Sequence, residues 1–239
     1  MNAALRSRGT RSRVRTSLRR VFISIGVLLI LPLPLCLLLN VVQPPTTAMM
    51  LARTWDRWRA DKEPAYPRRR VVPRDSVAPT LRRAVLASED DRFYLHHGFD
   101  FEEIEKAIER RNRGRPMRGA STISQQVVKN IFLWESRSWV RKGVEAYITV
   151  WLELVVPKDR ILDLYVNLAE WGDGVFGIEA AAQHHFRKPA RRLSRDESAR
   201  LAAVLPSPVR WSPRGGVAST RAASILPRMS YPAPRVKPE

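Results

Sequence analysis

Residues 21–42 read VFISIGVLLILPLPLCLLLNVV, an uncharged run of 22 positions. An α-helix needs roughly 20 residues to cross a hydrocarbon core, so the run is long enough to span a membrane. Pro32 and Pro34 would kink a helix in water. They are tolerated in a membrane span, where neighbouring groups satisfy the backbone they expose. Seven arginines and no acid occupy residues 1–20. The positive-inside bias therefore keeps the N-terminus in the cytosol and places everything after residue 42 outside. A cleaved leader would have a shorter apolar core followed by a small-residue cleavage site, and neither is visible. The reading is a basic cytosolic tail over 1–20 and a retained transmembrane helix over 21–42.

Hydrophobic residues make up 44% of the 239, enough for a packed core of one domain. The net charge of +19 implies an anionic partner: nucleic acid, anionic lipid headgroups or a phosphorylated ligand. Composition does not choose among the three. Cys36 is the single cysteine, which excludes an intramolecular disulfide and a multi-cysteine zinc site.

Residues 43–77 are dotted with proline and form a membrane-proximal linker. Within it, Thr46–Ala60 can make one amphipathic helix, with Met49, Met50, Leu51 and Trp55 against Arg53, Arg57 and Arg59. Residues 78–213 read as helical throughout, so the fold class is all-α in the main. Asp100 and Glu103 mark the start of a helix reaching about Arg113, and Thr122 with Gln125 opens one ending near Leu133. Ser136 caps a long helix that stops at Pro157, and Pro157 opens the next. Further helices are expected over Gly177–Phe186 and, capped by Ser194 and Glu197, up to Pro206. No segment alternates as a strand would. Residues 214–239, rich in proline, serine and arginine, read as a poorly packed basic tail. Too few residues follow Pro213 to hold a second catalytic domain.

Three clusters carry chemistry. Residues 89–100, EDDRFYLHHGFD, follow an apolar helical stretch, so acids emerge at a helix end beside Phe93, His96 and His97. A carboxylate held against apolar surface has its charged form disfavoured, which moves its pKa toward that of a useful general base. An ordinary solvated acidic turn is the plain alternative. Residues 118–130, RGASTISQQVVKN, place Gly119, Ser121 and Thr122 at a helix N-terminus, where unpaired N–H groups attract anions. Lys129 lies one turn beyond Gln125 on the same face; a well-capped polar helix start is the alternative here. Arg137, Arg141 and Glu145 recur at four-residue intervals and form one strip beside an apolar face. A structural Arg141–Glu145 ion pair would explain that strip equally well. Together, two carboxylates and the cations Arg118, Lys129, Arg137 and Arg141 suit a substrate that carries phosphate. Pre-placed cations stabilise the charge that develops on a departing diphosphate.

These residues resemble the monofunctional biosynthetic peptidoglycan glycosyltransferases, a family sharing a lysozyme-like domain with class A penicillin-binding proteins. The motif EDxxFxxHxG stands as Glu89, Asp90, Phe93, His96 and Gly98. GxSTIxQQxxKN stands as Gly119, Ser121, Thr122, Ile123, Gln125, Gln126, Lys129 and Asn130. RKxxE stands as Arg141, Lys142 and Glu145. KxxILExYLN is met by Lys158, Ile161, Leu162, Tyr165 and Asn167, with Asp163 and Val166 replacing glutamate and leucine. The resemblance covers roughly residues 43–213.

It implies a lysozyme-like glycosyltransferase domain behind one N-terminal transmembrane helix, in the bacterial inner membrane, with the catalytic domain periplasmic. It implies lipid II and the growing glycan strand as partners, and cell-division or elongation proteins as recruiters. Glu89 would be the general base and Glu145 the second catalytic acid, orienting cations or a metal. Lys129, Arg137 and Arg141 would hold the donor diphosphate. Ser121, Thr122, Gln125 and Gln126 would line the cleft, and His96 would brace the Glu89 loop. Asp90, Phe93, Arg118, Gly119, Asn130 and Lys142 complete the expected substrate-binding set. No metal cage is readable; the resemblance implies magnesium or manganese assisting the diphosphate. His184 and His185 are about 100° apart on a helix and make a poor ligand pair.

Two rivals differ in class. A peptidoglycan-cleaving enzyme on a similar scaffold would need an acid but no diphosphate clamp. A tethered basic binding protein would need no catalytic carboxylate. Nucleic acid is not an expected partner: the domain lies outside the cytosol, and Trp134, Trp139 and Trp151 fall on or near an apolar stripe.

Overall fold

The computed structural model describes residues 19–230 except 21, 25, 28, 64–67, 115–118, 135 and 137. Helical turns in the apolar run break at Leu31, and a short helix α1 (Pro32–Leu38) follows with proline at its first position. Among the described residues no helix is long and apolar enough to cross a membrane. The far end of the run is part of the domain: Cys36 and Leu39 are buried in its main core. Asn40 donates to Val155 O at 2.9 Å, and Arg160 donates to Leu39 O at 2.7 Å. The basic tail before residue 19 lies outside the described residues.

Helix α2 (Ala48–Arg59) forms where the 43–77 segment was expected to be amphipathic, with Thr47 accepting the Met50 amide as its cap. Its buried side is Met49, Met50 and Arg57, while Leu51, Trp55 and Trp58 face outward. Then come α3 (Pro79–Glu89), α4 (Phe101–Asn112), α5 (Ile123–Phe132), α6 (Trp139–Val155) and α7 (Lys158–Leu168). Helix α8 (Ile178–Phe186), α9 (Arg195–Val204) and α10 (Gly216–Ile225) complete the order. Capping boxes are present at Thr122 with Gln125 and at Ser194 with Glu197, whereas the one expected at Asp100 is half made: Asp100 accepts the Glu103 amide, and the Glu103 side chain pairs with Lys106 instead. Helix α6 starts two residues later than expected, because Ser138 and not Ser136 accepts its amide.

Two expectations are corrected. A small sheet of three strands exists, in the order β1 (Arg68–Arg69), β3 (Val175–Phe176), β2 (Glu170–Gly172). Strand β1 runs parallel to β3, and β2–β3 is a hairpin whose Gly174 takes the left-handed φ of 69°. Residues 216–230 are folded, not a loose tail. Ala218, Ala222, Ile225 and Met229 are buried against α3 and α9.

The core has two parts. A large one gathers Phe93, Ile123, Val127, Leu152, Leu162 and Trp171 between α5, α6 and α7. A second, rich in alanine, joins α3, α9 and α10 through Ala84, Ala87, Ala199, Ala202 and Ala203. Small side chains let these helices approach closely. The C-terminus of α3 therefore lies beside the C-terminus of α9, and Glu89 is the last residue of α3.

Candidate active site

Glu89 leaves α3 between two helices. From α5, Gln126 donates Nε2–H to Glu89 Oε2 at 3.0 Å; on its own helix, Ser88 donates to Oε1 at 3.1 Å. The Tyr165 hydroxyl, from α7, donates to Gln126 Oε1 at 3.0 Å and fixes the amide's orientation. Burial raises the Glu89 pKa above the usual carboxylate value, while the bonds from Gln126 and Ser88 and the charges of Arg221 and Lys129 pull it back. The Tyr165 hydroxyl is pushed well above its ordinary value by burial, so it stays a donor.

Asp90 ties the site together from behind. Its Oδ1 lies 2.9 Å from His96 Nε2, and its Oδ2 accepts the Ile123 amide at 3.0 Å. The second bond sets a carboxylate at the positive end of α5 and locks α3 to α5. His96 thus braces Asp90, the neighbour of Glu89. Gly98 takes φ 88°, a conformation suited to glycine, and an added Cβ would meet Thr149 Cγ2 at 2.8 Å. Thr122 Oγ1 donates to Gly98 O at 2.7 Å, joining the two motif loops.

Two hollows flank the Glu89–Gln126 pair. One, of about 290 Å³, is lined by Arg53, Gln126, Lys129, Asn130, Glu170 and Arg210 among others. The other, of about 260 Å³, is lined by Ser88, Glu89, Gly119, Ser121 and Arg228 among others. On α6, Glu145 is 2% exposed; its Oε2 accepts from Arg141 at 2.6 Å and its Oε1 pairs with Lys142. Lys142 reaches Ser121 Oγ at 3.3 Å, carrying this charge cluster to the rim of the second hollow. A carboxylate this deep must be paired, and its two cations are ordered in return.

The structure brings Glu89, Asp90, His96, Gln126 and Lys129 together, with Gly119 and Ser121 on the rim. It gives other residues different work from that expected. Phe93 is fully buried under the Lys158 ammonium, 4.4 Å from the ring centroid, and offers no surface to a substrate. Gln125 is spent on capping α5 and does not line a hollow as a free amide, whereas Thr122 caps the same helix and still lines the second hollow. Glu145 has both oxygens committed to Arg141 and Lys142, an arrangement that agrees with the cation-orienting part of its expected role. Asn130 is buried at the edge of the first hollow. Arg118 and Arg137 lie outside the described residues. Sequence reasoning passed over Ser88, the chain neighbour of Glu89, and it passed over Arg221 and the orienting role of Tyr165 because those two act on residues distant in sequence.

Magnesium or manganese would need open carboxylate oxygens. Asp90, His96 and Asp100 bring one ligand atom each within 4.8 Å of one another. Yet both Asp90 oxygens are engaged, Asp100 Oδ1 accepts the Glu103 amide, and Arg92 lies 3.3 Å from Asp100 Oδ2. These three residues therefore do not offer such a cation an open site. His185 is turned onto Trp171 O at 3.0 Å and His184 onto Arg68, so the histidine pair is structural.

The family described as "Transglycosylase" matches residues 59–230. A "Biosynthetic peptidoglycan transglycosylase" of Xanthomonas axonopodis pv. citri is 53% identical over 178 residues, covering 74% of this chain and 72% of the relative. Its namesake in Pseudomonas fluorescens is 50% identical over 198 residues, covering 82% of each. Another, from Chromohalobacter salexigens, is 48% identical over 191 residues, with 80% and 79% covered. With more than half of its length matched, and relatives this similar over most of theirs, the chain belongs to the transglycosylase family.

Proposed function

We propose that this chain is a peptidoglycan glycosyltransferase that joins lipid-linked disaccharides into β-1,4 glycan strands. The observation that carries the reading is Glu89: a buried carboxylate with a raised pKa, held by Gln126 between two hollows, with Lys129 close enough to act on its charge. Glu89 takes the proton from the acceptor sugar's 4-hydroxyl as that oxygen attacks the anomeric carbon of the donor. The bond from that carbon to the diphosphate breaks on the opposite face, so an α-linked donor gives a β link. The electron pair leaves on the polyprenyl diphosphate, and Glu89 passes its proton to solvent. Lys129 meets the departing charge from the first hollow. Arg141 and Lys142, ordered by Glu145, supply positive charge at the second. No step is routed through a metal ion.

The anchor belongs to the same proposal. Residues 21–42 anchor the chain once in the inner membrane, with the arginine-rich end in the cytosol, the catalytic domain outside, and the far end of the run, Cys36 to Asn40, packed into that domain. The uncharged run supports this, as do the outward-facing Phe22, Ile23, Val27 and Ile30 within it. Leu51, Trp55 and Trp58 on α2 extend that apolar surface below the domain.

Purified full-length protein incubated with lipid II tests the reading. The expected result is growth of glycan with release of polyprenyl diphosphate, lost in E89Q. Polymerisation that survives E89Q removes Glu89 as the base. Breakdown of preformed wall without polymerisation favours the hydrolytic rival instead.

A further inference from the structure

The segment from Gly215 onward sends a cation to the rear of the site. Arg221 of α10 donates Nε–H to Ala203 O at 3.0 Å, and its guanidinium lies 5.3 Å from the Trp211 ring. One residue earlier, Ala202 O lies 3.2 Å from the Ser88 hydroxyl oxygen, whose single proton is shared between that carbonyl and Glu89 Oε1. Both carbonyls belong to the last turn of α9, where unpaired C=O groups gather the negative end of the helix. Glu89 is also the last residue of α3. Its carboxylate thus stands beside two negative helix ends, and neither favours ionisation.

We infer that Arg221 is a positioning residue for the reaction: it caps α9, offsets that negative end, and keeps the Ser88–Glu89 edge ready to act as a base. The inference rests on Glu89 being that base. The other groups around Glu89 leave room for the role. From α5, Lys129 is the second cation that acts on it. Asp90 is engaged by His96 and the Ile123 amide, and the Tyr165 hydroxyl of α7 is turned to Gln126. Asp91, Asp100, Glu103, Arg110 and Arg228 line the second hollow with charges of both signs. Arg221 is the cation set against the α9 terminus, on the rear side.

The test compares wild type, R221Q and R221K as full-length protein in detergent with lipid II, across pH. R221Q should move the acidic limb of kcat/KM upward by about one pH unit, a roughly tenfold loss below the limb with little loss above it. R221K, which keeps the charge, should leave the limb within a few tenths of wild type. A purely structural role lowers activity evenly at all pH values and leaves the limb in place, and that result overturns the inference. The carboxyl-carbon NMR titration of Glu89, assigned through E89Q, reads the same shift without substrate. If wild type makes no glycan, the base reading fails by itself, and an unmoved Glu89 midpoint in R221Q then sinks the inference separately. Should R221Q not fold, W211L takes its place. Removing the ring frees the guanidinium, so the limb should move the same way by a smaller amount; an unmoved limb overturns the inference.

Discussion

The Gln126 amide nitrogen lies 3.0 Å from Glu89 Oε2, while its carbonyl oxygen accepts the Tyr165 hydroxyl at the same distance. A carboxamide has a donor end and an acceptor end, and Tyr165 decides which end meets Glu89. Removing the amide in Q126A should lower kcat about ten- to a hundredfold, the range of a lost positioning contact. Y165F should cost less, about three- to tenfold in kcat with KM nearly unchanged, because the amide keeps its place but loses its lock. Steady-state kinetics on lipid II check both. A raised KM with kcat unchanged would mean that Gln126 grips substrate and does not orient the base.

The raised Glu89 pKa gives a pH profile with a definite sign. A base works only when ionised, so activity should climb with pH through a midpoint above the ordinary glutamate value of about 4.3. The same shift concerns stability. A group whose folded pKa is raised is fully accommodated below its unfolded pKa, and that benefit is lost as pH rises through the folded value. E89Q should therefore melt higher than wild type at pH 8 and show no advantage at pH 4. For a chain of this size, each kcal/mol moves the melting temperature by roughly 2–4 °C. Thermal unfolding at the two pH values decides it, and an equal shift at both would contradict a buried, ionised Glu89.

Glu145 presents a different balance. It is buried with Arg141 and Lys142 on its two oxygens, so its removal strands two cations beside an apolar face. Breaking a buried pair of this kind costs about 3–5 kcal/mol, and less here because the Lys142 side chain is 37% exposed. E145A should lower the melting temperature clearly and raise KM for lipid II more than it lowers kcat. E145Q should recover part of the stability and little of the KM. A variant with normal KM and a collapsed kcat would instead make Glu145 a direct participant in the chemistry.

Much of this arrangement was legible in the residues because it is local. Thr122 with Gln125, and Ser194 with Glu197, declare helix starts through side chains three residues apart, and both boxes are present. Glu89 at the end of an apolar helical stretch was readable for the same reason. Contacts between distant segments were not. Phe93 sits among acids in the sequence, yet it packs into the core because Lys158, far along the chain, covers its ring. The strands of two or three residues are too short to display a period of two. Helix α10 escaped notice because alanines make its buried side, so it carries little of the apolar stripe that marks an amphipathic helix.

That helix makes the last prediction the most direct. Ile225 and Met229 are fully buried against α3 and α9, and Ala218 and Ala222 fill the same interface. Arg195 of α9 adds a bond to Leu226 O at 2.7 Å. Burying one large aliphatic side chain contributes about 1.5–3 kcal/mol, and whole domains are stable by only about 5–15 kcal/mol. A chain stopped after Pro213 should thus lose most of its stability and expose the alanine faces of α3 and α9. Circular dichroism should find no cooperative melt, or one far below wild type, and glycan synthesis should vanish. I225A tests the same packing without truncation, at a cost of about 2–5 kcal/mol. If the shortened chain melted and polymerised like wild type, the Glu89 end of α3 would need no support from behind, and Arg221 could have no hold on it.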